Sequence, residues 1–431
     1  MHSLKSIKHT LVATSLLGCL SAHAGTETTP YIDEPSALSS NATGLLLGKF
    51  PGETAWDRAW SGFTLYKNDD NQVLQEFSLQ GRLQVQSIFG DDGDTFNTSD
   101  YKAAGNDETV WGDDIESRRA RFGFKSKWFQ NWKFDALFNV DVDGMDGTRS
   151  DTLYKDIYEM YVTYAQSDAL NISAGKTKVR FTREQEISSN NILTIERSLL
   201  SNLLFPGELS GVWASGKGLG EHWLYEFGVY GNDRQREFSD MDGGTIVLAK
   251  AGYDYSEQIG LESAVASIHY MHNTQPGYDP TNTPEYTTPA SSRFTDSIAL
   301  TNEITQGRFG LTTEILYGLG DQGLGQSDVM GLTVIPSYYI ATGLQLVGRL
   351  QVATCEDPDD LRVSSRYERL PITGAGSTGR QSGNTYASAY AGLNYYIYGH
   401  KLKLMNGIEY SHMGGGDYDG YTAMTGLRFS F

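Results

Sequence analysis

Residues 77–89 read FSLQGRLQVQSIF, a run in which apolar or small residues alternate with polar ones. A period of two predicts a β-strand with one apolar and one polar face. Strands of soluble proteins average about five to six residues, whereas a tilted strand that crosses a membrane needs about nine to eleven. The length therefore favours a membrane-spanning strand. Its two faces are Phe77, Leu79, Gly81, Leu83, Val85, Ser87 and Phe89 on one side, and Ser78, Gln80, Arg82, Gln84 and Gln86 on the other.

The same alternation recurs to the end of the chain and predicts sixteen strands. Short turns and long loops follow one another between them, with the long loops near 90–114, 143–154, 178–208, 233–243, 272–293, 319–326, 355–384 and 413–419. An even number of antiparallel strands with short periplasmic turns and long external loops is typical of a transmembrane β-barrel. A β-sandwich or a β-propeller gives no reason for that rhythm. The predicted strands are 77–89, 115–128, 131–142, 155–166, 168–177, 209–219, 221–232, 244–256, 258–271, 294–306, 307–318, 327–341, 343–354, 385–398, 400–412 and 420–431.

The last predicted strand ends on Phe431 in the middle of its alternation. An aromatic terminal strand resembles the C-terminal signature of bacterial outer-membrane proteins. Lipid offers no hydrogen-bond partner to an open sheet edge, so the barrel must close. Sixteen strands leave a lumen wide enough for water, and inward charges such as Arg121, Lys133 and Asp141 are then solvated rather than exposed to lipid.

The first 24 residues have the organisation of a secretory signal peptide. Lys5 and Lys8 give a positive start, residues 11–20 form a short apolar run, and Ala22-His23-Ala24 offers a small-residue cleavage site. Leu16-Leu17-Gly18-Cys19 imitates a lipoprotein site, so lipidation is the alternative.

Residues 25–72 lack the barrel rhythm, apart from a hairpin pattern around 63–66 and 73–77. We expect a periplasmic extension or linker there, followed by the barrel at 73–431. The composition agrees with an exported barrel, because 26 Tyr, 18 Phe, 7 Trp and 48 Gly accompany only 11 Pro. The net charge of −19 on an exported chain excludes a nucleic-acid-binding function.

Several stretches resemble the phosphate-selective porin O/P family. Residues 118–124 (RRARFGF) with Trp132-Lys133-Phe134 resemble the family's second and third strands, and residues 156–162 with 174–179 resemble its next hairpin. Ile195-Glu196-Arg197-Ser198-Leu199, followed by Phe205-Pro206-Gly207, resembles its long third loop. The resemblance is clearest over 115–232.

The resemblance implies a homotrimer of sixteen-stranded barrels in outer-membrane lipid and lipopolysaccharide. It also implies that the third loop, about 178–208, folds inward and that lumen cations guide the uptake of small hydrophilic solutes or anions. The residues we expect at the constriction are Arg82, Arg119, Arg121, Lys125 and Lys133 on the wall, and Arg180, Arg183, Arg197, Glu184 and Glu186 on the loop. For the loop arginines, bracing of the loop against the wall is the alternative to ion selection. For Arg119 and Arg121 we favour an electrostatic role in the pore, because the two charges share one face.

Two other function classes remain as alternatives. An enzyme would need a nucleophile–base or carboxylate–histidine constellation. After the signal peptide only five histidines remain, and none lies in such a motif, so we expect no catalytic residue, cofactor or metal. A plugged or adhesive surface protein would instead use its long loops to bind a partner. The five histidines are His222, His269, His272, His400 and His412.

Overall fold

The structure, a computed structural model, describes residues 55–91, 111–140, 153–220, 222–277, 293–357, 360–362, 382–415 and 418–431. The predicted signal peptide, most of the 25–72 extension and much of several long loops lie outside these ranges. Within them, no helix is both long and apolar enough to cross a membrane.

Sixteen antiparallel strands form one closed sheet, which confirms the predicted barrel. Each strand pairs with the strand before it and the strand after it along the chain. The strands are β1 Leu74–Asp91, β2 Trp111–Trp128, β3 Trp132–Val140, β4 Tyr154–Ser167, β5 Leu170–Lys178, β6 Glu208–Leu219, β7 Trp223–Gly231, β8 Thr245–Asp254, β9 Ser263–Asn273, β10 Phe294–Gln306, β11 Phe309–Gly320, β12 Val329–Ala341, β13 Leu344–Cys355, β14 Thr385–Tyr398, β15 Leu402–Gly414 and β16 Tyr418–Ser430.

The first and last strands close the barrel. β16 pairs with β1 in unbroken register from Tyr421 opposite Asp91 to Ser430 opposite Arg82. This pairing satisfies backbone groups that lipid would leave without partners, which is the reason a membrane sheet must be a barrel.

The two faces of the sheet differ in polarity as the alternation predicted. The outer face carries exposed apolar side chains, among them Leu83 on β1, Phe122 on β2 and Leu350 on β13. The inner face carries buried polar side chains such as Gln84 and Arg428. Lipid solvates the first set, and the lumen holds the second.

Tight turns join the strands at one end of the barrel, which we call the tight-turn end. The turn between β2 and β3 is a three-residue loop between the paired Trp128 and Trp132, and it places both Phe129 and Gln130 at positive φ, 47° and 69°. The turn between β8 and β9 is longer than predicted. Residues Ser256–Ile259 form one helical turn that ends at Gly260 in the left-handed conformation, so β9 begins at Ser263 rather than at the predicted 258.

We call the junction of β1 and β16 the seam, and a hairpin formed by the residues before β1 extends it. β16 stops at Ser430, and the chain end Phe431 exchanges backbone hydrogen bonds of 3.0 Å with Gly81. Below that point the edge of β1 is covered by Thr64–Lys67, in which Thr64 lies opposite Ser78. The same edge of β1 is therefore paired by two different segments in succession.

A short helix, α1 (Ala55–Ser61), packs beside this seam. The indole N–H of Trp60 donates to the carbonyl oxygen of Ser430 at 2.7 Å, and its ring lies 4.9 Å from that of Tyr398. Phe63 stacks on Phe431 with 3.9 Å between ring centroids. The part of the 25–72 extension that the structure describes is thus bound to the barrel at the tight-turn end.

Candidate functional site in the lumen

The connection between β5 and β6, residues 179–207, lies inside the barrel, and we call it the inner segment. Its two short helices are α2 (Arg183–Glu186), capped by Thr182, and α3 (Leu199–Leu203), capped by Ser198. The segment hydrogen-bonds to inward side chains of strands on opposite sides of the sheet, from β1 and β2 to β10, β13 and β15. Only a segment that crosses the lumen can make these contacts.

Apolar side chains hold the inner segment in two places. Phe181, Leu200 and Leu204 join a buried cluster with inward residues of β6 to β15. Ile195 packs in a second cluster with residues of β1 and of β12 to β16. Burial of this apolar surface supplies a non-directional contribution to docking, and charged contacts then fix the position.

The first charged contacts involve the predicted loop residues Arg180, Arg183 and Glu186. Arg180 pairs with Glu159 of β4 at 3.1 Å, and Arg183 pairs with Glu303 of β10 at 2.7 Å. Glu186 accepts from Arg183 at 3.2 Å and from the ammonium group of Lys250 on β8 at 3.0 Å. Burial alone would raise the pKa of Glu186, but Lys250, His269 and Arg183 hold it well below the usual range. Each of these charges is therefore compensated by a partner.

Arg197 and Glu184 are bound mainly within the inner segment. Arg197 donates to the backbone oxygens of Glu184 and Ile187 at 2.6 and 2.8 Å. The Glu184 carboxylate accepts from the backbone N–H of Ser198 at 2.9 Å and lies 3.8 Å from Arg349 of β13. These two residues shape the segment itself.

Arg118 is a functional residue that the strand parity placed wrongly. Strict alternation assigns it to the apolar outer face, but a bulge in β2 brings Gln84 opposite Arg119 and Val85 opposite Ser117. Arg118 consequently points inward and pairs with Glu196 of the inner segment at 2.7 Å. Burial would raise the pKa of Glu196, and Arg118 and Arg119 hold it well below its usual range. The sequence contained a signal for this inward orientation, because an arginine side chain that faces lipid costs free energy.

Three predicted wall residues, Arg82, Arg119 and Arg121, form the group that we call the arginine wall. Arg82 donates to the hydroxyl of Ser189 at 2.8 Å, Arg119 to the amide oxygen of Gln84 at 2.9 Å, and Arg121 to that of Asn139 at 2.7 Å. All three acceptors are neutral. Among the described residues, no carboxylate oxygen lies within 4.0 Å of these three guanidinium groups.

Arg82 and Arg121 are direct neighbours across the strand pair. Both lie over the ring of Tyr158, with the guanidinium carbons 5.9 and 3.2 Å from its centroid. The buried Nε of Arg82 and Nη1 of Arg121 have no hydrogen-bond acceptor in the described part of the chain. Like charges placed side by side repel, and unpaired buried donors cost free energy.

The predicted residues Lys125 and Lys133 lie apart from the arginine wall, towards the tight-turn end. Lys125 is 58% exposed and has Asp135 at 3.5 Å. Lys133 is the second residue of β3 and lies opposite Lys127. The structure therefore places three of the ten predicted residues in the arginine wall and five on the inner segment, and leaves these two farther along the wall.

In the part of the chain that the structure describes, one acidic group and one pair of histidines have side chains of the types that bind metals. Ligand oxygens of Asp233, Asp240 and Asp242 lie within 4.8 Å of one another, but both oxygens of Asp233 already accept hydrogen bonds from Ser239 and Asp240, so these acids fold their own loop. His269 is buried in the lumen, where its ring bonds Phe181, whereas His272 points outward and bonds Asp296. The two histidines thus take opposite faces, as strand geometry predicts.

The comparisons with known proteins agree with this architecture. The profile of the family "Phosphate-selective porin O and P" matches residues 94–418, and the chain belongs to that family. The protein is an outer-membrane β-barrel channel for small solutes. No curated protein matches the sequence significantly.

Solved structures show the same fold at low sequence identity. OmpF of Salmonella typhi in complex with daunomycin has a TM-score of 0.54 at 12% identity, over 85% of this chain and 100% of that one. OprB of Pseudomonas putida has 0.51 at 11%, over 82% and 94%. A loop-deletion mutant of OmpT of Vibrio cholerae has 0.50 at 12%, over 82% and 99%.

Proposed function

We propose that this channel prefers small anions and that the arginine wall sets the preference. The observation that carries the proposal is the division of the lumen charges into two kinds. Arg180 and Arg183 of the inner segment are paired with carboxylates, whereas Arg82, Arg119 and Arg121 are held by neutral groups. Arginines paired with carboxylates hold the segment against the wall, whereas the positive field of arginines that bond only neutral groups acts on a permeating ion.

The constriction in this proposal lies between the inner segment and the wall formed by β1 to β4. Arg82 contacts Ser189 of the segment, and Arg121 and Tyr158 lie beside it on the wall. A solute there would meet guanidinium donors within a low-dielectric ring, where charge is felt more strongly than in bulk water. The negative charge of the chain as a whole matters less, because exposed charges are screened within about 10 Å at moderate salt.

We further propose a homotrimer embedded in outer-membrane lipid and lipopolysaccharide, with each barrel as an independent pore. Family membership supports this assembly. Single-channel records of the purified protein test it, because a trimer should close in three equal steps and a monomer in one.

The experiment for anion preference is the reversal potential in a planar bilayer under a KCl gradient. Chloride should be favoured, and Arg121→Gln should lower the chloride-to-potassium permeability ratio by about tenfold, because one unit charge acting across about 6 Å of water attracts chloride and repels potassium by about 0.7 kcal/mol each. Arg308→Gln removes the same charge at an exposed turn and should leave the ratio unchanged.

Two results would refute parts of the proposal. Preference for potassium in the unmodified protein would exclude anion selectivity while leaving a porin. Absence of conductance from correctly folded protein would favour the plugged-barrel alternative.

A further inference from the structure

The connection between β7 and β8 contacts the wall beside the place where the chain leaves it for the inner segment. We call residues 233–239 of this connection the strap. At this place β5 ends at Lys178 and β6 begins at Glu208, and these two residues are paired. β4 extends further, because its last residue paired with β5 is Met160, opposite Lys176. In the described part of the chain, residues 155–159 of β4 therefore have no partner in the register of β5.

Arg236 of the strap occupies the edge of β4 that β5 does not reach. Its carbonyl oxygen accepts from the backbone N–H of Ile157 at 3.2 Å. Its guanidinium group donates to the carbonyl oxygens of Lys155 and Tyr154, the second at 3.4 Å, and lies 5.4 Å from the centre of the Tyr154 ring. Lipid would leave the backbone groups of Lys155 and Ile157 without partners. One residue of the strap thus supplies the bonds that a neighbouring strand would make.

The strap also covers a lysine on the outer face of the wall. Lys176 of β5 points outward, because the next residue, Thr177, bonds the inward side chain of Glu159. Its ammonium group donates to the carbonyl oxygens of Gln235 and Arg236 at 2.7 and 3.1 Å. The side chain is consequently buried, at 3% exposure. A lysine in contact with lipid would be costly, and the strap removes that contact.

The strap binds β6 in a similar way. Ser210 lies opposite Lys176, and its hydroxyl accepts from the backbone N–H of Ser239 at 2.9 Å. Glu208, two residues earlier and on the same face, pairs with Arg234 at 3.2 Å. Ser210 is only 7% exposed although it lies on the outer face. Three successive strands, β4 to β6, are therefore bonded to one connection at the level where the inner segment begins.

We propose that the strap is a lateral seal, which closes the barrel wall beside the root of the inner segment and keeps lipid away from that root. The root is formed by Val179 and Gly207, whose backbone N–H and carbonyl oxygen are 3.0 Å apart. Val179 is fully buried, at 0% exposure. Release of the strap would leave the edge of β4 and the charge of Lys176 facing the membrane, with Val179 directly behind them. The inference goes beyond the proposed ion preference and does not depend on it.

Two cysteine reporters in a Cys355→Ser background test the seal. Ser210→Cys places a thiol beneath the strap, where a water-soluble maleimide reacts only after the strap has moved away. Val179→Cys places a thiol at the root, where a membrane-soluble maleimide added in lipid vesicles reports an opening in the wall. The first reporter measures whether the strap is bound, and the second measures whether its binding closes the wall.

The perturbations are Arg236→Met and Lys176→Met, which keep the length of each side chain and remove its bonds to the wall or the strap. Each should accelerate labelling of both reporters by about tenfold, the factor that follows from the loss of one hydrogen bond of a charged group. Arg293→Met is the control. It removes an exposed arginine just before β10 and should leave both rates unchanged.

Two results would overturn the proposal. Faster labelling of Ser210→Cys with an unchanged rate at Val179→Cys would mean that the strap covers the strands without sealing the wall. Rapid labelling of Ser210→Cys with Arg236 and Lys176 both present would mean that the strap is not bound. All proteins are compared as folded barrels, identified by their altered mobility on unheated gels. The two perturbations remove different contacts, so a folding defect in one of them leaves the other as the test.

Discussion

Replacement of Glu186 by Gln should release the inner segment from the wall for part of the time. Glu186 is 23% exposed and bonds both Lys250 and Arg183, at 3.0 and 3.2 Å. Gln keeps the length and one acceptor oxygen but removes the charge. The variant therefore weakens the contact between α2 and β8 without opening a cavity in either apolar cluster.

The expected loss follows from which partners remain. A hydrogen bond to a charged group contributes about 1.5–3 kcal/mol. Lys250 keeps Glu226 at 3.2 Å, and Arg183 keeps Glu303 at 2.7 Å, so neither cation is left unpaired. We therefore expect a cost in the lower half of that range, about 2 kcal/mol, which is a change of about thirtyfold in the docking equilibrium.

Cysteine accessibility measures this equilibrium directly. Ser201 in α3 is fully buried, and a Ser201→Cys variant in a Cys355→Ser background reacts with a water-soluble maleimide only when the segment leaves the wall. If redocking is faster than labelling, the rate is proportional to the undocked population. Glu186→Gln should accelerate labelling by about thirtyfold.

The control for this prediction is Glu257→Gln, an exposed carboxylate in the turn helix between β8 and β9. It should leave the labelling rate unchanged. A change of less than twofold for Glu186→Gln would refute the reasoning, because it would mean that the apolar clusters alone determine docking.

Three further predictions concern acid, the buried arginine and the seam. Acid should release the inner segment, because Glu186 and Glu196 have lowered pKa values in the folded protein. Their contribution to docking of the segment is complete above the usual carboxyl pKa of about 4.3 and is lost as the pH falls below it. A labelling rate of the Ser201→Cys variant that stays constant from neutral pH to about pH 3 would contradict this. Glu409→Gln should lower the free energy of unfolding in urea by about 3 kcal/mol, since it removes the charge that compensates buried Arg349, and a loss under about 1 kcal/mol would contradict it. Trp60→Ala should cost about 2 kcal/mol in the same assay through lost ring packing and one hydrogen bond, and an unchanged midpoint would show that α1 does not stabilise the barrel.

The barrel could be predicted from sequence because its main determinant is local. Alternation is a property of neighbouring residues, and a strand in lipid must keep it for its whole length. Residues 294–306 were predicted to the residue, as β10 shows. The start of β9 was wrong because residues 256–259, which continue the alternation poorly, form a helical turn.

The candidate site was harder to predict because it depends on bulges and on contacts distant in sequence. One extra residue at Arg118 changes its face, and another in β4 turns Tyr158 inward beside Glu159. The alternation of residues along a strand cannot by itself locate these bulges. Gln84 had no charge to mark it, and it accepts from Arg119 and Arg428, which lie 35 and 344 residues away along the chain.

The hairpin at Thr64–Lys67 has a consequence for how the barrel is assembled. It joins residues that are close in sequence, so it can form before the two ends of the chain have met. Once it has formed, the part of β1 before Gly81 is already paired on this edge. The arriving β16 then finds free backbone groups only from Gly81 towards Asp91. A shift of β16 by two residues towards the turns would bring Phe431 onto Phe63. The hairpin thus acts as a stop that sets the register in which the last strand can close the barrel.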